Sequence, residues 1–179
     1  MTALTSRLAT IEDLPQLKGL MNLAIENLQS DYLSPDQVKA SHEVMGLDTQ
    51  LIRDRTYFVI EDQGQLAGCG GWSYRETLFG GDHASGRDPE TLNPTEQPGR
   101  IRAMYCHPSH TRKGVGRLIM QCCEAALMDF GFARAELMAT LSGVPLYQAC
   151  GYSITRDYTA TTADGTKVPM HVMQKRLIL

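Results

Sequence analysis

The residues with the clearest chemical potential form a glycine-rich turn between a predicted strand and a predicted helix. Residues 106–116 read Cys-His-Pro-Ser-His-Thr-Arg-Lys-Gly-Val-Gly. Gly114 and Gly116 lack a Cβ, so the backbone can approach a ligand closely. The helix that follows directs the positive end of its dipole at the same place, and Arg112 and Lys113 add positive charge. The turn is therefore predicted to bind a phosphate or a pyrophosphate.

Length and composition indicate an ordinary globular chain. It has 179 residues, of which 42% are hydrophobic and 21% charged, and its formal net charge is −3. Its basic residues cluster near the glycine turn, which suits a small polyanion, so no nucleic acid is expected as a partner. The N-terminus lacks the apolar core of a signal peptide, and no apolar run approaches the roughly 18 residues that cross a bilayer. We therefore expect a cytoplasmic protein with one domain over residues 1–179 and no membrane partner.

The cysteines predict free thiols rather than a disulfide framework. Their odd number and the lack of a C-x-x-C spacing favour a reducing compartment. They are Cys69, Cys106, Cys122, Cys123 and Cys150. Cys106, His107 and His110 are potential metal ligands, but a fourth ligand is missing and the glycine turn already accounts for this segment. No metal is expected.

The elements around the turn are helices and strands in mixed order. Alternation of apolar residues predicts seven strands, and a 3.6-residue period predicts four helices. The strands are predicted at residues 6–9, 57–61, 66–74, 101–106, 135–140, 152–158 and 167–176. The helices are predicted at about 14–28, 35–45, 118–130 and 144–149.

One long connection, at about residues 77–99, contains no predicted element. It is rich in Gly, Asp, Pro and Thr. Connections of this length are uncommon in compact domains and often serve as lids or binding loops. The alternative is a disordered surface insertion, and the sequence favours neither interpretation.

A tyrosine motif about 30 residues after the turn completes a recognisable combination. Residues 147–152 read Tyr-Gln-Ala-Cys-Gly-Tyr, and residues 111–116 read Thr-Arg-Lys-Gly-Val-Gly. Together with the flanking strand and helix, these segments resemble the GNAT (Gcn5-related) N-acetyltransferases, whose turn follows the pattern Gln/Arg-x-x-Gly-x-Gly/Ala. The resemblance covers nearly the whole chain. Thr111 departs from the family pattern, although a hydroxyl can also bind an anion.

The resemblance implies a fold, a cosubstrate and a reaction. The fold would be α/β (α+β), a single GNAT-like domain with a mixed, twisted sheet of about seven strands and helices on both faces. Acetyl-CoA would lie where strands four and five separate, and the enzyme would transfer an acetyl group directly to a primary amine. The pantetheine arm of acetyl-CoA would lie along Met104, Tyr105 and Cys106. Its pyrophosphate would lie on Thr111, Arg112, Lys113, Gly114, Val115, Gly116 and Arg117. Tyr147 matches the residue that protonates the departing thiolate in this family.

The base that deprotonates the amine is left open by the sequence. Alkylamines are mostly protonated at neutral pH, so direct transfer needs a base or a water relay. Several family members place a Glu at the start of strand four, where this chain has Arg100. The candidates are Asp31, Tyr32, Glu76, Asp82, His83 and His107.

The acceptor is equally open. Asp31, Tyr32, Trp72, Tyr74 and Glu76 are expected on the acceptor side, with Arg75 beside them. A small cationic amine, a drug, a polyamine or a peptide N-terminus would all suit these residues, and a homodimer is consistent with the family. Two other functions remain. The first is a non-catalytic acyl-CoA-binding or sensing module on the same fold. The second is a nucleotide-phosphate binder of another fold, although the chain lacks a Gly-Lys-Ser/Thr phosphate loop.

Overall fold

The computed structural model describes residues 3–84 and 87–177. Its centre is a seven-stranded sheet in the order β1-β2-β3-β4-β5-β7-β6. The strands are β1 (Thr5–Leu8), β2 (Tyr57–Asp62), β3 (Gln65–Ser73), β4 (Gly99–Cys106), β5 (Arg134–Thr140), β6 (Ser153–Thr161) and β7 (Lys167–Arg176). The helices are α1 (Leu14–Leu28), α2 (Pro35–Val44), α3 (Thr49–Arg53), α4 (Val115–Phe130) and α5 (Val144–Ala149). The predicted fold class is confirmed.

One helix boundary and one whole helix differ from the prediction, each for a local reason. Helix α4 begins at Val115 rather than at Leu118, because Gly114 adopts the left-handed conformation (φ 88°) and ends the turn at that point. Helix α3 was not predicted, since its five residues are too few to show a period. The Asp48 side chain caps it by accepting a hydrogen bond from the Gln50 backbone N–H at 3.0 Å.

The two faces of the sheet are covered by different helices. Helix α4 buries Val115, Ile119, Cys123 and Leu127 against one face. Helices α1 and α3 bury a second cluster on the other face. Its members include Leu17, Met21, Ile25, Leu51 and Ile52. This burial on both faces explains why β3 is apolar along most of its length.

Strands β4 and β5 are parallel, and they pair only at one end. The pairing joins residues 99–101 of β4 to residues 135–137 of β5. Beyond Ile101 and Leu137 no further pairing is found in the described register, whereas β5 continues to pair with β7 as far as Thr140. The two central strands therefore separate and leave a cleft between them.

The described parts of the 77–99 connection are held against the body of the protein. The Thr77 and Gly80 carbonyls accept hydrogen bonds from the Arg102 guanidinium at 3.2 and 2.8 Å. Arg87 forms an ion pair with the buried carboxylate of Asp48. These contacts bring the first residues of the connection to the cleft between β4 and β5. In the described ranges 3–84 and 87–177, no helix is both long and apolar enough to cross a membrane.

Candidate active site

The cleft contains a cavity of about 70 Å³ between the separated strands. Residues 101–105 of β4 line one side of it, and Leu137, Met138 and Thr140 line the other. Residues 44–46, after α2, and residues 78–80 of the long connection complete its walls. A concave site of this kind, at the point where a sheet opens, is a usual place for a ligand.

A bulge in β4 frees backbone groups beside the cavity. Ala103 has a φ of 50°, an uncommon conformation for a residue other than glycine. The carbonyl of Ala103 accepts a hydrogen bond from the Tyr57 hydroxyl at 2.6 Å, which holds the bulge. The register of β3 with β4 shifts at this point, so Ala103 and Met104 have no partner residue in the described pairing. Their backbone groups can therefore bind a ligand.

The next two residues of β4 fix the edge of the cleft. Tyr105 is buried, and its hydroxyl accepts a hydrogen bond from the Gly46 backbone N–H at 3.1 Å. Cys106 is half-buried, and burial raises the pKa of its thiol to about 11. The thiol is therefore protonated at neutral pH and is a poor nucleophile, because the thiolate is the reactive form.

The glycine turn lies at the start of α4. Thr111, Arg112, Lys113 and Gly114 are exposed there, whereas Val115 is buried. Arg112 and Gly114 both have a positive φ, of 63° and 88°. No side chain lies within 4 Å of the position that a Cβ on Gly114 would take, so the space beside this backbone is open. The exposed amides, the two cations and the N-terminus of a 16-residue helix make a site suited to an anion.

Tyr147 lies in α5 and lines the cleft from the side of β5. It is 8% exposed, and its ring meets the ring of Tyr152 edge-on, with 6.3 Å between centroids. Burial raises the pKa of the Tyr147 phenol. Like an ordinary phenol, the hydroxyl is protonated at neutral pH, and its place on the cleft wall allows it to act as a proton donor.

The family model of the "Acetyltransferase (GNAT) family" matches residues 21–152, which is more than half of the chain. This chain belongs to the GNAT acetyltransferase family. A comparison with curated proteins found no match.

Solved GNAT structures share the fold at low sequence identity. A GCN5-related N-acetyltransferase from Rhodopseudomonas palustris has a TM-score of 0.73 and 18% identity, over 99% of this chain and 98% of that one. PaiA N-acetyltransferase from Thermoplasma acidophilum, solved with coenzyme A, has a TM-score of 0.64 and 12% identity, over 97% and 99%. YncA from Salmonella typhimurium, a putative acetyltransferase solved with acetyl-CoA, has a TM-score of 0.63 and 16% identity, over 98% and 95%.

Most residues expected on the acceptor side of this GNAT enzyme lie away from the cavity. Trp72 and Tyr74 pack against Phe130 at the end of α4, with ring centroids 5.4 and 5.1 Å apart. Asp31 and Tyr32 are exposed in the turn after α1. None of these four residues lines the cavity.

Glu76 also lies outside the cavity lining, and its carboxylate has other hydrogen-bond partners. Its carboxylate accepts hydrogen bonds from Gln97 at 2.7 Å and from Arg100 at 3.4 Å. Arg100, in the place of the family's Glu, also bonds to Glu136 at 2.6 Å, where β4 and β5 are still paired. These contacts stabilise the closed end of the two strands.

The remaining candidate bases have other partners. His107 caps a short 3-10 turn, and its Nδ1 accepts a hydrogen bond from the Ser109 N–H at 3.1 Å. Asp82 accepts from the Thr49 backbone N–H at 3.0 Å, and the His83 Nε2 lies 2.8 Å from the Glu43 carbonyl oxygen. Among the described residues that line the cavity there is no Asp, Glu or His.

Sequence reasoning predicted Met104, Tyr105 and Tyr147 in the cavity lining but did not name several other residues that line it. They are mainly apolar, and they come from segments far apart in the chain. They include Val44, Met45, Leu78, Phe79, Met138 and Met170, with Arg102 as a buried cation. Each looks like an ordinary core residue in sequence, so only the fold brings them to one place.

Proposed function

We propose that this GNAT enzyme transfers an acetyl group from acetyl-CoA to a primary amine of a small molecule or peptide, by direct attack in a ternary complex. The separation of β4 and β5 beyond Ile101 and Leu137, with Tyr147 on the cleft wall, is the observation that carries the proposal. The T. acidophilum and S. typhimurium structures contain coenzyme A and acetyl-CoA on the same fold, which supports acetyl-CoA as the donor.

The donor would bind along β4 and at the start of α4. Its pantetheine arm would use the backbone groups of Met104, Tyr105 and Cys106, next to the bulge at Ala103. Its pyrophosphate would lie on residues 111–117, where residues 111–114 are exposed and Arg112 and Lys113 supply charge. A backbone N–H freed by the bulge is suited to polarise the thioester carbonyl, because a fixed donor stabilises the charge that develops on that oxygen.

The chemical step needs one proton donor and one proton acceptor. The amine nitrogen forms a bond to the carbonyl carbon, and the carbon–sulfur bond breaks. Tyr147 would give its hydroxyl proton to the leaving thiolate, since its phenol lies on the cleft wall and is protonated at neutral pH. The surplus proton on the new amide nitrogen would leave through water, because no Asp, Glu or His is found among the described lining residues.

A second candidate function is a non-catalytic acyl-CoA-binding module on the same fold. Arg100 stands where several relatives have a catalytic Glu, and its pairing with Glu136 leaves no base at that place. Such a module would bind acetyl-CoA with the same residues but would not catalyse acetyl transfer.

Replacing Tyr147 by phenylalanine tests the proposal. We expect kcat to fall by roughly 10²- to 10⁴-fold, the usual contribution of a general acid, with the Kd for acetyl-CoA unchanged. Tyr152→Phe is the matched control, because Tyr152 is buried beside Tyr147 but does not line the cavity. An unchanged rate for Tyr147→Phe would refute the general-acid role. A wild-type protein that binds acetyl-CoA but acetylates no amine would support the binding module.

A further inference from the structure

Five apolar side chains form one wall of the cleft. Val44 and Met45 come from the end of α2, Phe79 from the long connection, and Met138 and Met170 from β5 and β7. They belong to a hydrophobic cluster separate from the one beneath α4. Thioethers are polarisable and adapt to the shape of a ligand, so this wall is suited to an alkyl or aryl group.

The wall is also fixed in place. The Phe79 ring packs edge-on against Tyr158 of β6, with 5.3 Å between centroids. The next residue, Gly80, accepts a hydrogen bond from Arg102, which anchors the connection to β4. The apolar surface therefore exists before any ligand binds.

The cleft offers no carboxylate among the described residues that line it. Arg102 is the charged residue among the described residues that line the cavity. Nearby carboxylates are already occupied by other partners. Asp48 pairs with both Arg102 and Arg87, Glu43 accepts from the Ala163 N–H at 2.8 Å, and Asp82 accepts from Thr49. A cationic group on the ligand would meet no carboxylate among the described lining residues.

We infer that the acceptor of this enzyme is a small apolar monoamine, and that polyamines are poor acceptors. A second ammonium group would lose its water against the apolar wall without meeting a carboxylate, which is unfavourable. An alkyl or aryl group in the same place would be stabilised by burial. The inference rests on the proposed function, since the wall meets an acceptor only when acetyl-CoA occupies the other side of the cleft.

Two probes of equal size test this inference. Pentylamine and 1,4-diaminobutane have the same number of heavy atoms and differ at the far end, a methyl group against an ammonium group. We expect kcat/KM for pentylamine to exceed that for 1,4-diaminobutane by about tenfold or more, because the ammonium would be buried without a partner.

Matched variants at Met138 locate the effect in the wall. Met138 is half-buried in the cavity lining, so a polar side chain of similar length can be accommodated. Met138→Glu adds a carboxylate, and we expect it to shift the ratio of the two kcat/KM values toward 1,4-diaminobutane by about tenfold relative to Met138→Gln. Met138→Gln has the same shape without the charge and is expected to keep the preference for pentylamine.

The possible results separate this inference from the proposed function. Equal or better turnover of 1,4-diaminobutane by the wild-type enzyme would overturn the inference and leave acetyl transfer intact. The inference would also be overturned if the protein bound acetyl-CoA in calorimetry but acetylated neither amine. Failure of the folded protein to bind acetyl-CoA would instead refute the proposed function.

Discussion

Replacing Arg102 by methionine is expected to lower the free energy of unfolding by about 3 kcal/mol. The Arg102 side chain is 3% exposed and forms an ion pair at 2.9 Å with Asp48, whose side chain is 2% exposed. It also donates to the Thr77 and Gly80 carbonyls. Removing one partner of a buried pair typically costs about 3–5 kcal/mol, because it leaves an uncompensated charge. We take the lower end, since Asp48 keeps its ion pair with Arg87.

Urea denaturation with linear extrapolation measures this loss. Arg87→Met is the matched control, because Arg87 pairs with the same carboxylate but is 26% exposed. Its loss is expected to cost about 1 kcal/mol, because the Arg87 side chain is partly exposed and Asp48 keeps its ion pair with Arg102. Arg102→Met should also raise the KM for the amine, because residues 78–80 of the cavity wall lose their anchor on β4. A cost below about 1 kcal/mol for Arg102→Met, or a larger cost for Arg87→Met, would refute the reasoning.

Three further predictions concern other parts of the molecule. Gly114→Ala and Gly165→Ala both place a Cβ in open space at a φ near 90° (88° and 86°), so each should cost about 1–2 kcal/mol in urea denaturation. Only the first should weaken acetyl-CoA binding in calorimetry, and equal Kd values for the two variants would contradict a pyrophosphate site at the turn. Arg7 holds the pKa of Asp13 at about 2, below its ordinary 3.8, so this stabilisation is complete above about pH 4 and is lost as the pH falls toward 2. The free energy of unfolding should therefore fall less steeply with decreasing pH for Asp13→Asn than for the wild type. Identical pH dependences for the two proteins would count against the ion pair. Cys106→Ala should keep kcat within about threefold, since the thiol is protonated at neutral pH; a 100-fold loss in steady-state assays would indicate a nucleophilic role.

The parts of the fold that sequence predicts are those with a local cause. The strands have alternating or continuous apolar residues, and glycines beside basic residues indicate the turn at Gly114. Even the Ser34 cap of α2 is visible as a capping box, which the structure contains. These signals arise within a few residues of one another, so they do not depend on the rest of the chain.

Most of the cavity lining could not be predicted in this way. Trp72 lies near the end of β3 and Tyr74 follows two residues later, so both side chains point to the same face of the sheet. Helix α4 covers that face, and both rings pack against Phe130 at its end. The apolar wall joins α2, the long connection, β5 and β7, which lie together only in the folded sheet. The bulge at Ala103 carries no glycine to mark it. Nothing local in the sequence distinguishes these residues from an ordinary core.

Initial rates over a grid of acetyl-CoA and pentylamine concentrations test the central claim most directly. Direct transfer in a ternary complex predicts double-reciprocal lines that intersect, because both substrates must be bound before any product leaves. Parallel lines, with an acetyl group recovered on the protein at Cys106, would show a covalent intermediate and contradict the account.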